Sequence, residues 1–396
     1  MRMKRGGLFL FVLIGVFTLS AAGQDQAPAP ANSAPATPAP LPSPSMTAPL
    51  QTAAPPHTFN AGPFGTVAIT GVLSGMGLTQ SNWIPGDKST HWDLSNGQIF
   101  LQKTSGWFQF YLQGGAYDLP ALGFPYVSTV NTITGLYGPL PVAYAKLVKG
   151  NFNVEVGELP TLIGAEYTFT FQNMNVERGL LWGQETAISR GVQINDTFKK
   201  LSLSLSWNDG FYSNVYNWLS GSATYAFNSS NSLAFIAAGN AGQTTSTSAA
   251  TPLLQNNGSI YNVMYTYSHE SLMIQPYYQY TRVPANTQLG ILQSGSTNGG
   301  ALLFNYNFKH GFSLGARPEY ITSSGNAATG LNLLGYGGGS NAFTFTVTPT
   351  YQKSGFFLRG DISLVDARNL TPGDAFGSLG LNSKQTRGVI EAGFMF

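Results

Sequence analysis

From Leu201 to Asn208 the chain places Leu201, Leu203, Leu205 and Trp207 at every second position, with Ser202, Ser204, Ser206 and Asn208 between them. A period of two belongs to an extended strand, whose successive side chains point to opposite faces. The same alternation returns in Phe343, Phe345 and Val347 against Thr344, Thr346 and Thr348, with Tyr351 ending the apolar face. It returns again where Phe356, Leu358, Ile362 and Leu364 oppose Arg359, Asp361 and Ser363. Helical periodicity fits none of these segments.

Segments of this kind number about sixteen, centred near residues 71, 98, 112, 144, 154, 192, 204, 222, 236, 263, 277, 303, 317, 346, 360 and 391. The connections between them alternate in length. Short ones fall at 104–106, 149–151, 198–200, 228–230, 268–270, 309–311 and 353–355, and long Gly/Ser/Thr/Asn-rich ones, such as 241–257 and 323–340, lie between. Aromatic residues bracket the short connections: Phe108, Phe152, Phe227, Tyr267, Phe308, Phe312, Tyr351 and Phe356. A soluble sandwich has no reason for either regularity. A transmembrane antiparallel β-barrel has both, with short periplasmic turns, long extracellular loops and aromatic girdles. An even strand count puts both termini in the periplasm.

Composition agrees with a surface that faces lipid. Charged residues are 9% of the chain against roughly 25% in ordinary soluble domains, while aromatics reach 13%. A helical bundle would need apolar runs of about 20 residues. One apolar run occurs, and it stands at the N-terminus. There Arg2, Lys4 and Arg5 precede the apolar Leu8 to Leu19 and the small residues Ser20, Ala21, Ala22 and Gly23. This is the pattern of an export signal, 1–23, cleaved after Ala22 or Gly23. Its loss takes 19 basic residues to 16 against 17 acidic, so the mature chain has no basic excess to attract nucleic acid. Residues 24–58 are dominated by Ala and Pro and are expected to form a disordered periplasmic tail. The barrel is expected over 59–396.

Enzymatic signatures are missing from the sequence. There is no cysteine, no Gly-x-Ser-x-Gly, no His-Glu-x-x-His and no phosphate-cradling glycine loop. His91 near Asp87 or Asp93 is the nearest approach to an acid–base pair, and polar loop decoration accounts for it better. No cofactor and no metal are expected. The last strand carries Ile390, Ala392, Phe394 and the terminal Phe396 on one face, with Arg387 and Glu391 on the other. That face resembles the aromatic-ended signal that the barrel-insertion machinery reads.

Gly157, Glu158, Leu159, Pro160, Thr161, Leu162, Ile163, Gly164, Ala165, Glu166 and Tyr167, followed by Asn173, Met174, Asn175 and Arg178, Gly179, Leu180, Leu181, form a distinctive stretch. With Arg190, Gly191, Val192 and Gln193 a little later, it resembles the hallmark region of the OmpL-like β-barrel porins, a likeness that extends over roughly 60–396. The resemblance implies an outer-membrane porin that passes small hydrophilic solutes and ions passively. Residues 158–186 make the longest connection, third among the long ones, and porin analogy implies that it folds inward and narrows the lumen. It holds Glu158, Glu166, Glu177 and Glu185 against Arg178 alone. Strand parity turns Arg317, Glu319, Arg359, Asp361, Arg387, Glu391 and Lys309 inward, with Arg317–Glu319 and Arg359–Asp361 placed to pair. An acidic loop facing wall arginines would set a transverse field across a constriction. The alternatives are an occluded structural or adhesion barrel, and a substrate-specific channel using Tyr277 and Tyr111 as a sugar slide. Expected partners are outer-membrane lipid, the insertion machinery and the solutes, with a homotrimer as one open assembly state.

Overall fold

The computed structural model describes Leu50 and residues 56–396; the expected export signal and nearly all of the expected tail lie outside the described residues. Sixteen long strands follow one another: β2 (Thr66–Gln80), β3 (Thr90–Lys103), β4 (Phe108–Tyr117), β5 (Val142–Lys149), β6 (Phe152–Pro160), β7 (Ile188–Phe198), β8 (Leu201–Asn208) and β9 (Trp218–Asn228). They continue as β10 (Asn231–Asn240), β11 (Ser259–His269), β12 (Leu272–Val283), β13 (Gly295–Asn307), β14 (Phe312–Ser323), β15 (Asn341–Lys353), β16 (Phe356–Arg368) and β17 (Lys384–Met395). Each pairs antiparallel with the next, and β17 pairs back onto β2 from Arg387↔Gln80 to Met395↔Val72. The barrel is therefore closed, which leaves no unpaired edge for lipid to meet. Every expected centre falls inside a strand.

One strand was not anticipated. β1 (His57–Asn60) runs antiparallel to the start of β2, from His57↔Ile69 to Asn60↔Thr66. It covers the part of the β2 edge that extends beyond the C-terminus, where Phe396 and Gly71 exchange both backbone hydrogen bonds at 2.9 and 3.1 Å. Four residues are too few for a periodicity to register. The described fold thus starts at His57, just inside the expected tail.

Side chains alternate as the sequence demands. Leu73, Ile99, Leu205, Phe235, Ile362 and Ile390 all point outward and are exposed, a continuous apolar band that only a lipid environment tolerates. Their neighbours Ser74, Gln98, Ser206, Ile236, Asp361 and Glu391 point inward and are buried. At the rim with the short turns, aromatic rings meet in pairs: Phe312 with Tyr351 at 4.8 Å, Tyr306 with Phe308 at 4.8 Å and Phe356 with Phe394 at 5.7 Å. The long connections gather at the other rim. Among them, 118–141 carries a helix, α1 (Thr129–Gly135). No helix among the described residues is long and apolar enough to cross a membrane.

Ile362 sits at the middle of β16 on the lipid face and is 68% exposed. Ile362→Arg is expected to cost ~2–4 kcal/mol of folding free energy, the figure for a cation at the bilayer midplane. Denaturant titration of the refolded protein in vesicles measures it; a cost indistinguishable from zero would mean that this face does not lie in lipid.

Candidate functional site

An irregular segment inside a barrel must find partners for each backbone N–H and C=O that has no ladder to join. The third long connection, 161–187, enters the lumen and meets this demand from the wall. The Glu319 carboxylate on β14 accepts from the N–H groups of Leu180 and Leu181 at 3.1 and 3.3 Å. Asp361 on β16 accepts from the Glu177 N–H at 2.8 Å. Asn262 on β11 accepts from the Gly164 N–H at 3.1 Å, and the Gln279 amide on β12 donates to the Leu181 carbonyl at 3.0 Å. Two arginines also take carbonyls: Arg317 donates to that of Glu177 at 2.9 Å and Arg359 to that of Asn173 at 2.8 Å.

Charge pairing runs alongside. Arg317 bridges Glu166 on the segment and Glu319 beside it on β14, the latter at 3.2 Å. Arg387 on β17 reaches Glu177 at 2.9 Å and donates to the Ala121 carbonyl of the second long connection, also at 2.9 Å. Arg359 holds Glu391 across the β16–β17 ladder at 2.6 Å. All these groups are almost inaccessible to water: Arg317 is 0%, Arg359 1%, Arg387 2% and Glu391 0% exposed. Stripped of water, such pairs gain little net stability, but removing one member of a pair costs about 3–5 kcal/mol.

The distinctive stretch of sequence is explained by the contacts that it makes. Gly164 has φ +87°, and a Cβ there would lie 1.8 Å from a Glu185 carboxylate oxygen, so only glycine admits the turn and its neighbour together. A Cβ on Gly179 would fall 2.2 Å from the Glu319 carboxylate, which needs that space to reach Leu180 and Leu181. Glu166 accepts from the Gly179 N–H at 2.8 Å, closing the segment on itself. Asn173 does the same within the loop: it accepts from the Tyr167 N–H at 2.7 Å and donates to the carbonyls of Tyr167 and Phe169, both at 2.9 Å.

Most of the expected site residues converge. Glu166, Glu177, Arg178, Glu185, Arg317, Glu319, Arg359, Asp361, Arg387 and Glu391 are all buried within the lumen. Glu158 does not belong with them. It lies on β6 and accepts from the Tyr212 hydroxyl at 2.7 Å, because β6 runs on to Pro160 and the inward segment begins later than expected. Arg359 pairs with Glu391 and not with Asp361, since the register sets Arg359 directly opposite Glu391 while Asp361 turns to the segment's backbone. Lys309 lies exposed in a short turn and is no lumen residue. Tyr277 and Tyr111 are buried, the first donating to Glu185 and the second to Gln113, so neither presents a free aromatic face for a sugar slide. His91 pairs with Asp87 at 2.8 Å beneath the ring of Tyr126.

Asp118 and Thr170 carried no signal for the site. Asp118 begins the second long connection and accepts from the Tyr126 hydroxyl, while Thr170 donates to Glu391 at 2.9 Å. Arg178 is 0% exposed and none of its three side-chain nitrogens has a hydrogen-bond partner, though its guanidinium lies 5.4 Å from the Trp182 ring centre.

Residues 66–396 match the family model described as "Putative beta-barrel porin-2, OmpL-like". Solved structures share the fold at low identity. The outer membrane protein OmpT of Vibrio cholerae with loop L8 deleted is 12% identical with a TM-score of 0.55, covering 83% of this chain and 99% of its own. The outer membrane channel DcaP of Acinetobacter baumannii is 11% identical at 0.55, covering 83% and 97%. OmpF of Salmonella typhi, solved with daunomycin, is 14% identical at 0.54, covering 84% and 98%. No curated protein matches the sequence.

Two carboxyls on the inward segment, outside the membrane-spanning strands, are held above their ordinary range. Burial pushes Glu185 up to about 8; the Tyr277 hydroxyl pulls it back and the charges of Glu166 and Glu319 add to the rise. Burial pushes Glu166 up to about 7 against the pull of Arg317, with Glu319 raising it further and the Gly179 N–H and Arg178 lowering it. A carboxyl raised on docking favours the docked segment fully below its free value of 4.5, and that contribution is lost as pH rises through its docked value. Amide exchange across 163–187, corrected for the intrinsic rate, should therefore lose protection between about pH 5 and pH 8. Glu185→Gln should flatten much of that dependence. Protection constant over this window in the unsubstituted protein would contradict the assignment.

Proposed function

The chain belongs to the OmpL-like family of β-barrel porins and is an outer-membrane channel, and from that premise we propose that small hydrophilic solutes and ions diffuse passively through a bore set by 161–187. One observation carries the reading: the longest connection leaves the rim and docks on the wall charges of β14, β16 and β17. Wetting alone would not place Glu319 and Asp361 on its backbone amides. Conduction on this reading depends on excursions of the segment, because its docked form leaves the wall arginines with almost no water contact.

The same burial favours a second reading, an occluded barrel that serves structure or adhesion through its long polar connections. Several finer features belong to the proposal. Residues 1–23 are the export signal, and the expected tail, 24–58, is periplasmic up to the start of β1 at His57. The rim with the short turns faces the periplasm, and the long connections face outward. The C-terminal face of Ile390, Ala392, Phe394 and Phe396 is read by the insertion machinery, in keeping with its outward side chains on β17. A homotrimer is one assembly that this reading leaves open.

Single-channel recording of the refolded mature protein in a planar bilayer separates the two readings. The expected result is stepwise conductance that grows severalfold when 168–176 are deleted from the tip of the segment. A folded, heat-modifiable barrel that never conducts, with or without 168–176, would overturn the porin reading in favour of the occluded one.

A further inference from the structure

Toward the short turns, the inward positions of four neighbouring strands are apolar: Phe357 on β16, Met395 on β17, Val72 on β2 and Phe100 on β3. The register joins them into one patch of wall, with Met395 opposite Val72, and Phe100 opposite Thr70, which shares the inward face of β2 with Val72. Farther from the turns the inward positions of the same strands are polar, at Arg359, Glu391, Ser74 and Gln98. Apolar wall is unfavourable in a water-filled passage in proportion to the area left wet. This patch is dry: Phe357 is 0% exposed and Val72 1%.

Two other parts of the chain share its burial. Phe171, at the tip of the inward segment, brings its ring to 5.5 Å from that of Phe100. The second is Leu50, which is 4% exposed and packs in the same apolar cluster as Phe100, Phe171, Phe357 and Met395. Leu50 belongs to the expected tail, ahead of the barrel. It stands seven residues before His57, at most about 25 Å of chain. β1 sets His57 opposite Ile69, and the patch begins just beyond it on β2, within that reach.

The composition of the tail suits entry into a lumen. Between 24 and 56 the one charged residue is Asp25, so no ion near Leu50 has to be stripped of water. Pro49, Pro55 and Pro56 bring no backbone N–H that the lumen would have to answer. The bulky apolar residues of this stretch are Leu41, Met46 and Leu50, and Leu50 is the nearest to the barrel.

We propose that the chain ahead of β1 enters the lumen at its short-turn end and seats Leu50 on this patch as a stopper. The pore is then narrowed from both sides, by 161–187 from the long connections and by Leu50 from the short turns. The tail is held in the mouth of the lumen and does not hang free beside it. The narrowing rests on the porin reading; the seating does not.

Protein extracted folded from the outer membrane tests both parts. With Leu50→Cys as the sole thiol, a membrane-impermeant maleimide should react about tenfold more slowly than with Glu270→Cys at an exposed short turn, the ratio that about 1.4 kcal/mol of seating gives. In planar bilayers the mature protein lacking 24–55 should conduct in larger steps than the intact one. Leu50→Asp should match that deletion, because an apolar seat does not hold a carboxylate. Labelling of Leu50→Cys as fast as that of Glu270→Cys would overturn the seating and leave the porin reading standing. Slow labelling with a conductance that neither change alters would overturn the stopper. No conductance in any form, including one lacking both 24–55 and 168–176, would overturn the porin reading and the narrowing with it, while the labelling still decides where Leu50 sits.

Discussion

A chain segment without regular structure cannot sit inside a barrel unless its backbone polar groups are answered there. Each buried amide or carbonyl left alone costs about 1–3 kcal/mol, so a segment as long as 161–187 would be expelled from an apolar lumen. The wall answers it with charge. Glu319 and Asp361 take its N–H groups, Arg317 and Arg359 take its carbonyls, and the remaining valences close into ion pairs with Glu166, Glu319 and Glu391. The closeness of the fit at Gly164 and Gly179 and the dryness of the lumen at this level both follow from that arrangement.

This division of labour explains how a chain so poor in charge uses what it has. The outer band of Leu, Ile and Phe admits no charge at the depth of the bilayer, so ionic groups are confined to the lumen, the loops and the rims. Inside, they do something that an apolar core could not do. Hydrophobic packing would hold a segment but leave its amides unanswered; charged side chains hold it through those amides. Because burial raises the Glu166 and Glu185 carboxyls above their ordinary range, the hold also responds to pH.

Most of the fold was legible because it depends on local alternation. Residues 201–208 betray their strand without reference to any other part of the chain, and the same is true of 343–351 and 356–364. β1 was not legible: four residues hold it to β2, and nothing but the position of the C-terminus makes that edge available. In the site, residue type and parity placed Arg317, Arg359, Arg387 and Glu391 inside. Partners were harder. Arg359 meets Glu391 through the register of β16 against β17, a relation between two strands that spacing along one strand cannot reveal. The depth to which 161–187 enters depends on contacts with strands about a hundred to two hundred residues away in sequence. Asn173 and Gly179 were visible only as parts of a distinctive stretch, their roles depending on which groups fold back beside them.

The account stands on the docked position of the inward segment, and that position can be measured directly. Asn175 on the segment donates to Thr348 on β15 at 2.5 Å, and the chain has no cysteine to interfere. A protein carrying Asn175→Cys with Thr348→Cys, assembled in the outer membrane and mildly oxidised, should cross-link almost completely. Its thiols should also resist a membrane-impermeant maleimide before oxidation. Free reaction with the maleimide and no cross-link would place the segment outside the lumen, and the account would fail.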